Sequence, residues 1–121
     1  GIGGVGGKGG SGGGGGQSCA DLKSAYAQAI ADAKVCNPIL SVLQCTKLVD
    51  DELGCPCPTF INPNNVMAAA ELTKLAKQWT LQGCQSGVLC PQILCALPTS
   101  AACVASGGST TGSCQDSLGL P

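Results

Sequence analysis

The chain contains no histidine and no arginine, and it has one phenylalanine, one tryptophan and one tyrosine. Without histidine, it lacks the side chain that most often acts as a general base near neutral pH. Without arginine, and with a net charge of −1, it lacks the basic surface that nucleic-acid binding requires. Nucleic acid is therefore not expected as a partner, and a catalytic site has few residues from which it could be built.

Long hydrophobic runs are also missing, since no stretch approaches the ~20 apolar residues that a membrane-spanning helix needs. We therefore expect no transmembrane segment. The sequence shows no signal peptide and no initiator methionine, and we interpret Gly1 as a processed start. Any surface anchor is then expected upstream of Gly1.

Ten cysteines are what this chain has in place of large core residues. An even, dense set of cysteines in a short chain is typical of a disulfide scaffold, and each bridge stabilises a fold by about 2–4 kcal/mol. Zinc binding is the alternative, but the paired C-x2-C spacing and the histidines that favour it are missing. We predict disulfides, no metal, no cofactor and an extracellular or cell-surface location, with these cysteines paired: Cys19, Cys36, Cys45, Cys55, Cys57, Cys84, Cys90, Cys95, Cys103 and Cys114.

Three helices are predicted, at about residues 19–35, 39–53 and 63–82. Ser18 is a suitable N-cap for the first, and Gly83 is a suitable stop for the third. In the second, a helical stripe is formed by Val42, Cys45, Val49 and Leu53. The fold class predicted is mainly α and disulfide-rich, with three short helices.

The remaining segments are predicted to be extended or irregular. Prolines bracket Cys57 and exclude helix over residues 55–63. A cysteine-rich tail over residues 84–116 is expected to be irregular or a β-hairpin, clamped by disulfides, with short strands at 93–97, 102–105 and 113–116. Residues 18–121 thus form one small domain. Antiparallel packing of three helices would bring Cys19 near Cys55 and Cys57, and would bring Cys36 and Cys45 near Cys84.

Candidate catalytic residues are few. Asp50, Asp51 and Glu52 form the one carboxylate cluster, and a solvated helix end explains it better than a calcium site does. No lysine or histidine is placed to activate Ser18, Ser24 or Ser41. Trp79 and Phe60 are expected to be core residues rather than a ligand platform. We predict no enzyme and no catalytic residues.

Residues 1–17 form a glycine-rich tail in which every third residue differs from glycine over the first eleven positions. A period of three matches the polyproline-II helix, in which such residues share one face and glycine leaves the other faces open to close approach. A flexible tether is the alternative. If the tail is ordered, we predict that it packs against neighbouring copies through Gly1, Ile2, Gly3, Gly4, Val5, Gly6, Gly7, Lys8, Gly9, Gly10, Ser11 and Gly12.

The segments GGSGGGGGQSC and CPCPTFINP, with the region around Trp79 and Cys84, resemble a group of bacterial surface proteins that have a glycine-rich leader before a cysteine-rich domain. In that group the leader commonly follows a lipid-modified cysteine. The resemblance implies a surface location. This chain differs from the group at its start, where Gly1 stands instead of cysteine.

From these observations we predict a non-catalytic extracellular structural protein that assembles with copies of itself into a filament or layer, with the tail as connector. The alternative is a monomeric binding module for glycan, peptide or lipid, secreted or surface-anchored on a flexible tether. A small secreted inhibitor or toxin is a third class.

Overall fold

A computed structural model of the protein describes residues 17–91, 95–106 and 110–117. This part of the chain contains two α-helices, α1 (Cys19–Ala33) and α2 (Val66–Leu81), and a short 3-10 helix at Cys84–Gly87. The strands form a three-stranded antiparallel sheet in the order β1-β5-β4 and a two-stranded antiparallel sheet, β2-β3. Their bounds are β1 Val35–Cys36, β2 Lys47–Asp50, β3 Pro58–Ile61, β4 Ser100–Ala105 and β5 Gly112–Ser117.

Helix α1 begins where the sequence predicts. The Ser18 hydroxyl accepts a hydrogen bond from the Asp21 amide at 3.0 Å, and the Asp21 carboxylate accepts one from the Ser18 amide at 3.3 Å. This reciprocal cap satisfies two backbone donors that a helix start leaves unpaired. The helix ends at Ala33, two residues before the predicted end, because Val35 and Cys36 pair with β5 instead.

Helix α2 confirms the third predicted helix, with a later start. Asn62, which precedes the predicted start, is buried and its side-chain amide donates to the Val35 carbonyl, and the helix starts at Val66. Its other end is as predicted, since Gly83 follows the helix with φ of +70°, a conformation that glycine adopts without strain. The apolar face of α2 packs against that of α1.

The predicted helix over residues 39–53 is wrong. Residues 37–46 are irregular, and Lys47–Asp50 forms strand β2. The proline-bracketed segment 55–63 is extended as predicted, and its strand β3 offers a row of backbone groups that β2 pairs with. Cys45 must also reach Cys114, which lies in a different sheet. Strand pairing and a disulfide therefore overrule a helical pattern of apolar residues.

The C-terminal segment contains a β-hairpin, β4–β5, which includes the predicted strands at 102–105 and 113–116. The strand predicted at 93–97 does not form over residues 95–97, and its first two residues lie outside the described chain. The hairpin partners are therefore β4 and β5. Gly112 is required there, because a Cβ atom at this position would lie 2.6 Å from the Val104 carbonyl oxygen.

Two helices and two sheets correct the mainly α prediction, whereas the disulfide-rich prediction is confirmed. All ten cysteines are paired and none is free. The expected neighbourhoods are wrong, because they assumed three antiparallel helices. The observed bridges are Cys19–Cys84, Cys36–Cys103, Cys45–Cys114, Cys55–Cys90 and Cys57–Cys95. Disulfides form and persist in oxidising environments, so this protein belongs outside the reducing cytosol.

The buried side chains form two cores. The larger core lies between α1 and α2 and includes Leu22, Leu75 and Trp79, with Ile61 from β3. The smaller core consists of Cys36, Cys45 and Cys114, with Phe60 packed against it. Trp79 is buried and Phe60 is half-buried against the smaller core, which matches their predicted role as packing residues. Neither α1 nor α2 has the length and apolar character needed to cross a bilayer.

A polar link joins the two cores. The Lys34 ammonium, just after α1, donates to the Thr59 hydroxyl at 2.6 Å and to the Phe60 carbonyl at 3.0 Å. Thr59 in turn donates to the Asp116 carboxylate at 2.7 Å, and the Phe60 amide donates to the same carboxylate at 2.9 Å. These bonds hold the end of α1, strand β3 and strand β5 in one fixed arrangement.

Tyr26 gives a test of the larger core. Its hydroxyl donates to the Asp50 carbonyl at 2.7 Å, and burial, followed by the charges of Asp50 and Asp51, raises its pKa from 10.0 to about 12. The folded state thus favours the neutral phenol. The stabilisation that comes from burying this neutral phenol is complete below about pH 10 and is lost as the pH rises through about 12.

Because Tyr26 is the one tyrosine in the chain, phenolate absorbance reports on it alone. We expect the Tyr26 phenol of the folded protein to titrate near pH 12. The free energy of unfolding of the wild type should also fall more steeply above pH 10 than that of Tyr26→Phe. The variant is the control because it keeps every lysine that loses its proton in the same pH range and lacks only the phenol. A phenol that titrates at its ordinary pKa in the folded protein would contradict the buried placement.

Candidate functional site

The carboxylate cluster is structural. Asp51 accepts a hydrogen bond from the Cys57 amide at 2.8 Å, and Glu52 accepts one from the Cys55 amide at 3.4 Å. The cluster therefore holds the backbone around Pro56. The prediction that these acids lie at the end of a helix is wrong. Asp50 is the last residue of strand β2, and the other two acids follow it in a bend.

The three serines considered as nucleophiles were not expected to form a site. Ser18 caps α1, and Ser24 and Ser41 are exposed. The twelve assembly residues, from Gly1 to Gly12, lie outside the described residues, and their role stays a prediction. The disulfide cysteines are the one predicted set that the structure brings together.

The feature that stands out is a segment of eight residues, 37–44, between β1 and β2, which we call the aliphatic loop. It exposes four large apolar side chains, with the exposed fraction of each side chain being 69% for Ile39, 53% for Leu40, 64% for Val42 and 86% for Leu43. Single exposed apolar residues are common on protein surfaces, but four within five consecutive residues are a local concentration, and concentrations of exposed apolar surface often mark interaction sites.

Disulfides fix both ends of the aliphatic loop. Cys36, immediately before it, is bonded to Cys103 in β4, and Cys45, immediately after it, is bonded to Cys114 in β5. The two bridges are neighbours, since the sulfur atoms of Cys36, Cys45 and Cys114 all lie within 4.8 Å of one another. Both ends of the loop are therefore covalently attached, side by side, to the β4–β5 hairpin.

Hydrogen bonds close the neck of the loop. Gln44 is buried, its side-chain oxygen accepts from the Asn37 amide at 2.9 Å, and its side-chain nitrogen donates to the Asn37 carbonyl at 2.7 Å. Asn37 then organises the first turn, because its side chain accepts from the Ile39 amide at 3.0 Å and its carbonyl accepts from the Leu40 amide at 3.2 Å. Pro38 suits the second position of such a turn.

The loop and the residues next to it in the sequence are uncharged. Residues 35–46 contain no charged side chain. Lys34, which precedes them, is half-buried and its ammonium is bound by Thr59 and by backbone carbonyls. Lys47, which follows them, is exposed. The loop is thus an uncharged, largely apolar segment that is followed by the exposed Lys47.

An open groove of about 500 Å³ lies between α1 and the start of α2. Its lining includes Asp32, Asn65, Met67 and Glu71. The Asn65 amide is already used, because it donates to the backbone carbonyls at positions 32, 33 and 35. The groups left for a ligand are the carboxylates of Asp32 and Glu71 and the exposed side chain of Met67. We therefore do not assign the groove as a site.

Sequence reasoning missed the aliphatic loop because its apolar residues were assigned to the buried stripe of a helix. One signal could have found it. The segment lies between Cys36 and Cys45, and its Asn37-Pro38 start is a turn motif. Two cysteines that each reach a distant strand fix a loop between them whether or not its residues fit a helical period.

No protein-family model matches this chain, and no curated protein or solved structure shows significant similarity to it. The case for a function therefore depends on the geometry of the loop itself.

The role of Gln44 can be tested directly. Gln44→Ala leaves the part-buried N–H of Asn37 without its partner and removes one of the two donors to the Asn37 carbonyl, so we expect a loss of about 1–3 kcal/mol of unfolding free energy. Amide hydrogen exchange at Asn37 should become faster. The matched control is Gln28→Ala, which removes an exposed hydrogen bond to Asp32 and should change stability by less than about 0.5 kcal/mol. Equal effects of the two variants would contradict the proposed neck.

Proposed function

We propose that this protein is a non-catalytic binding module that contacts its partner through the aliphatic loop. The observation that carries the proposal is the combination of exposure and rigidity. Leu43, the most exposed of the four apolar residues of the loop, is adjacent to the buried pair Gln44 and Cys45. An exposed apolar side chain is therefore held next to a neck that a disulfide and two hydrogen bonds constrain.

Rigidity supports binding rather than a simple connecting role. A loop that is already fixed loses little conformational entropy when it is buried by a partner, so more of the contact energy appears as affinity. Both disulfides and the Gln44 hydrogen bonds contribute to this preorganisation. A loop that only joined two strands would gain nothing from four exposed aliphatic side chains.

The test is a binding screen of the full chain on a random-peptide library, a glycan array and phospholipid vesicles. We expect a saturable signal on one of these surfaces that Leu43→Ser weakens about ten-fold or more, since burial of a leucine contributes about 1.5–3 kcal/mol. Leu89→Ser is the matched control, because Leu89 is 94% exposed and lies outside the loop. A signal that both variants retain equally would contradict the proposal.

A second proposal is that the chain is a subunit of a filament or layer, connected through the glycine-rich tail. The register of Ile2, Val5, Lys8 and Ser11 favours it. The test is sedimentation velocity of the full chain and of a variant that lacks residues 1–16. We expect oligomers of the full chain that the deletion converts to monomers, and a full chain that stays monomeric at high concentration would overturn this proposal.

A further inference from the structure

The chemistry of the aliphatic loop identifies a class of partner. We infer that the loop inserts into the apolar layer of a lipid surface, an inference that rests on the proposed binding role of the loop. Ile39, Leu40, Val42 and Leu43 would enter the acyl region, and the disulfide-bonded neck would stay at the headgroups. The depth required is small, since interfacial segments bury their apolar side by about 5–10 Å.

The charge distribution fits this placement. Charged side chains are costly in hydrocarbon, and residues 35–46 have none. Lys34 is not an exception, because its ammonium is bound within the protein by Thr59 and the Phe60 carbonyl. Exposed Lys47 lies beyond the neck, where a long lysine stem can place its ammonium among the headgroups.

The backbone of the entry turn of the loop, residues 37–40, fits as well. An amide without a partner is expensive in hydrocarbon, where no water can bind it. The first four residues of the loop have no such amide, because Asn37 is bound by Gln44, Pro38 has no N–H, and Ile39 and Leu40 are both bound by Asn37. The entry turn of the loop therefore satisfies its own donors before it meets any partner.

The side chains favour lipid over a protein partner. The residues that dominate binding at protein interfaces are mainly tryptophan, tyrosine and arginine, and leucine and valine are under-represented among them. The loop exposes isoleucine, two leucines and valine, with no aromatic or cationic residue. Aliphatic side chains without a hydrogen-bonding group match acyl chains, which offer no partner for such a group.

The experiment is flotation of the full chain with neutral phosphatidylcholine vesicles. We expect the chain to float with the vesicles, Leu43→Ser to lower the partition coefficient about ten-fold or more, and Ile39→Ser with Leu43→Ser to lower it further. Leu89→Ser should bind as the wild type does. Because the inserted surface is neutral, binding should persist when salt is raised from about 0.1 M to about 1 M.

A tryptophan at position 43 reports insertion independently of affinity. We expect Leu43→Trp to be quenched by lipids brominated on their acyl chains, while the buried native Trp79 is not. Leu89→Trp is the control and should not be quenched. Flotation with no quenching at position 43 would show adsorption through another surface and would overturn the inference. This readout does not depend on the serine variants, so it decides the question also if those variants only destabilise the fold.

Failure of this inference is distinguishable from failure of the proposed function. If vesicles do not bind but a peptide or glycan signal depends on Leu43, the lipid inference is overturned and the binding function stands. If the chain without vesicles forms a dimer that Leu43→Ser dissociates, the loop binds a second copy and the lipid inference is again overturned. If no surface shows a signal that depends on Leu43, both are overturned.

Discussion

Two adjacent disulfides are the constraint on which the rest of this structure depends. Cys36–Cys103 and Cys45–Cys114 join the segment after α1 to both strands of the C-terminal hairpin. They replace the large side chains that the composition does not provide, since the smaller core consists of little besides their sulfur atoms and Phe60. They also define where the aliphatic loop begins and ends. The same four cysteines thus stabilise the fold and hold the ends of the aliphatic loop.

The two cores work in different ways. The core between α1 and α2 is stabilised by burial of apolar side chains such as Leu22 and Leu75, so its strength depends on area removed from water. The sulfur core constrains the unfolded chain instead, and the contribution of a bridge does not depend on a well-filled interior. The link through Lys34 and Asp116 joins the two cores with hydrogen bonds that involve charged groups, which are stronger than neutral ones.

The sequence predicted those elements whose signals are local. The cap at Ser18, the stop at Gly83 and the extended segment around Cys57 each follow from one or two residues, and each was found. The interval 39–53 was wrong because its apolar period is compatible with a helix, while the decisive partners, β3 and Cys114, lie elsewhere in the chain. The exposed residues of the aliphatic loop lie in that interval, so the wrong helix also hid the candidate site. The pairing of the cysteines could not be predicted from the sequence either, because it depends on how all the elements pack together.

The order of the bridges along the chain has a consequence for biogenesis. Cys19, Cys36, Cys45, Cys55 and Cys57 all precede α2, and every one of their partners follows it. During synthesis the first five thiols therefore emerge with no native partner, and any bridge formed among them has to be exchanged later. In the mature molecule the backbone of α2 is the only peptide connection between two halves that are already cross-linked five times. A single proteolytic cut there would give a two-chain protein that separates only on reduction.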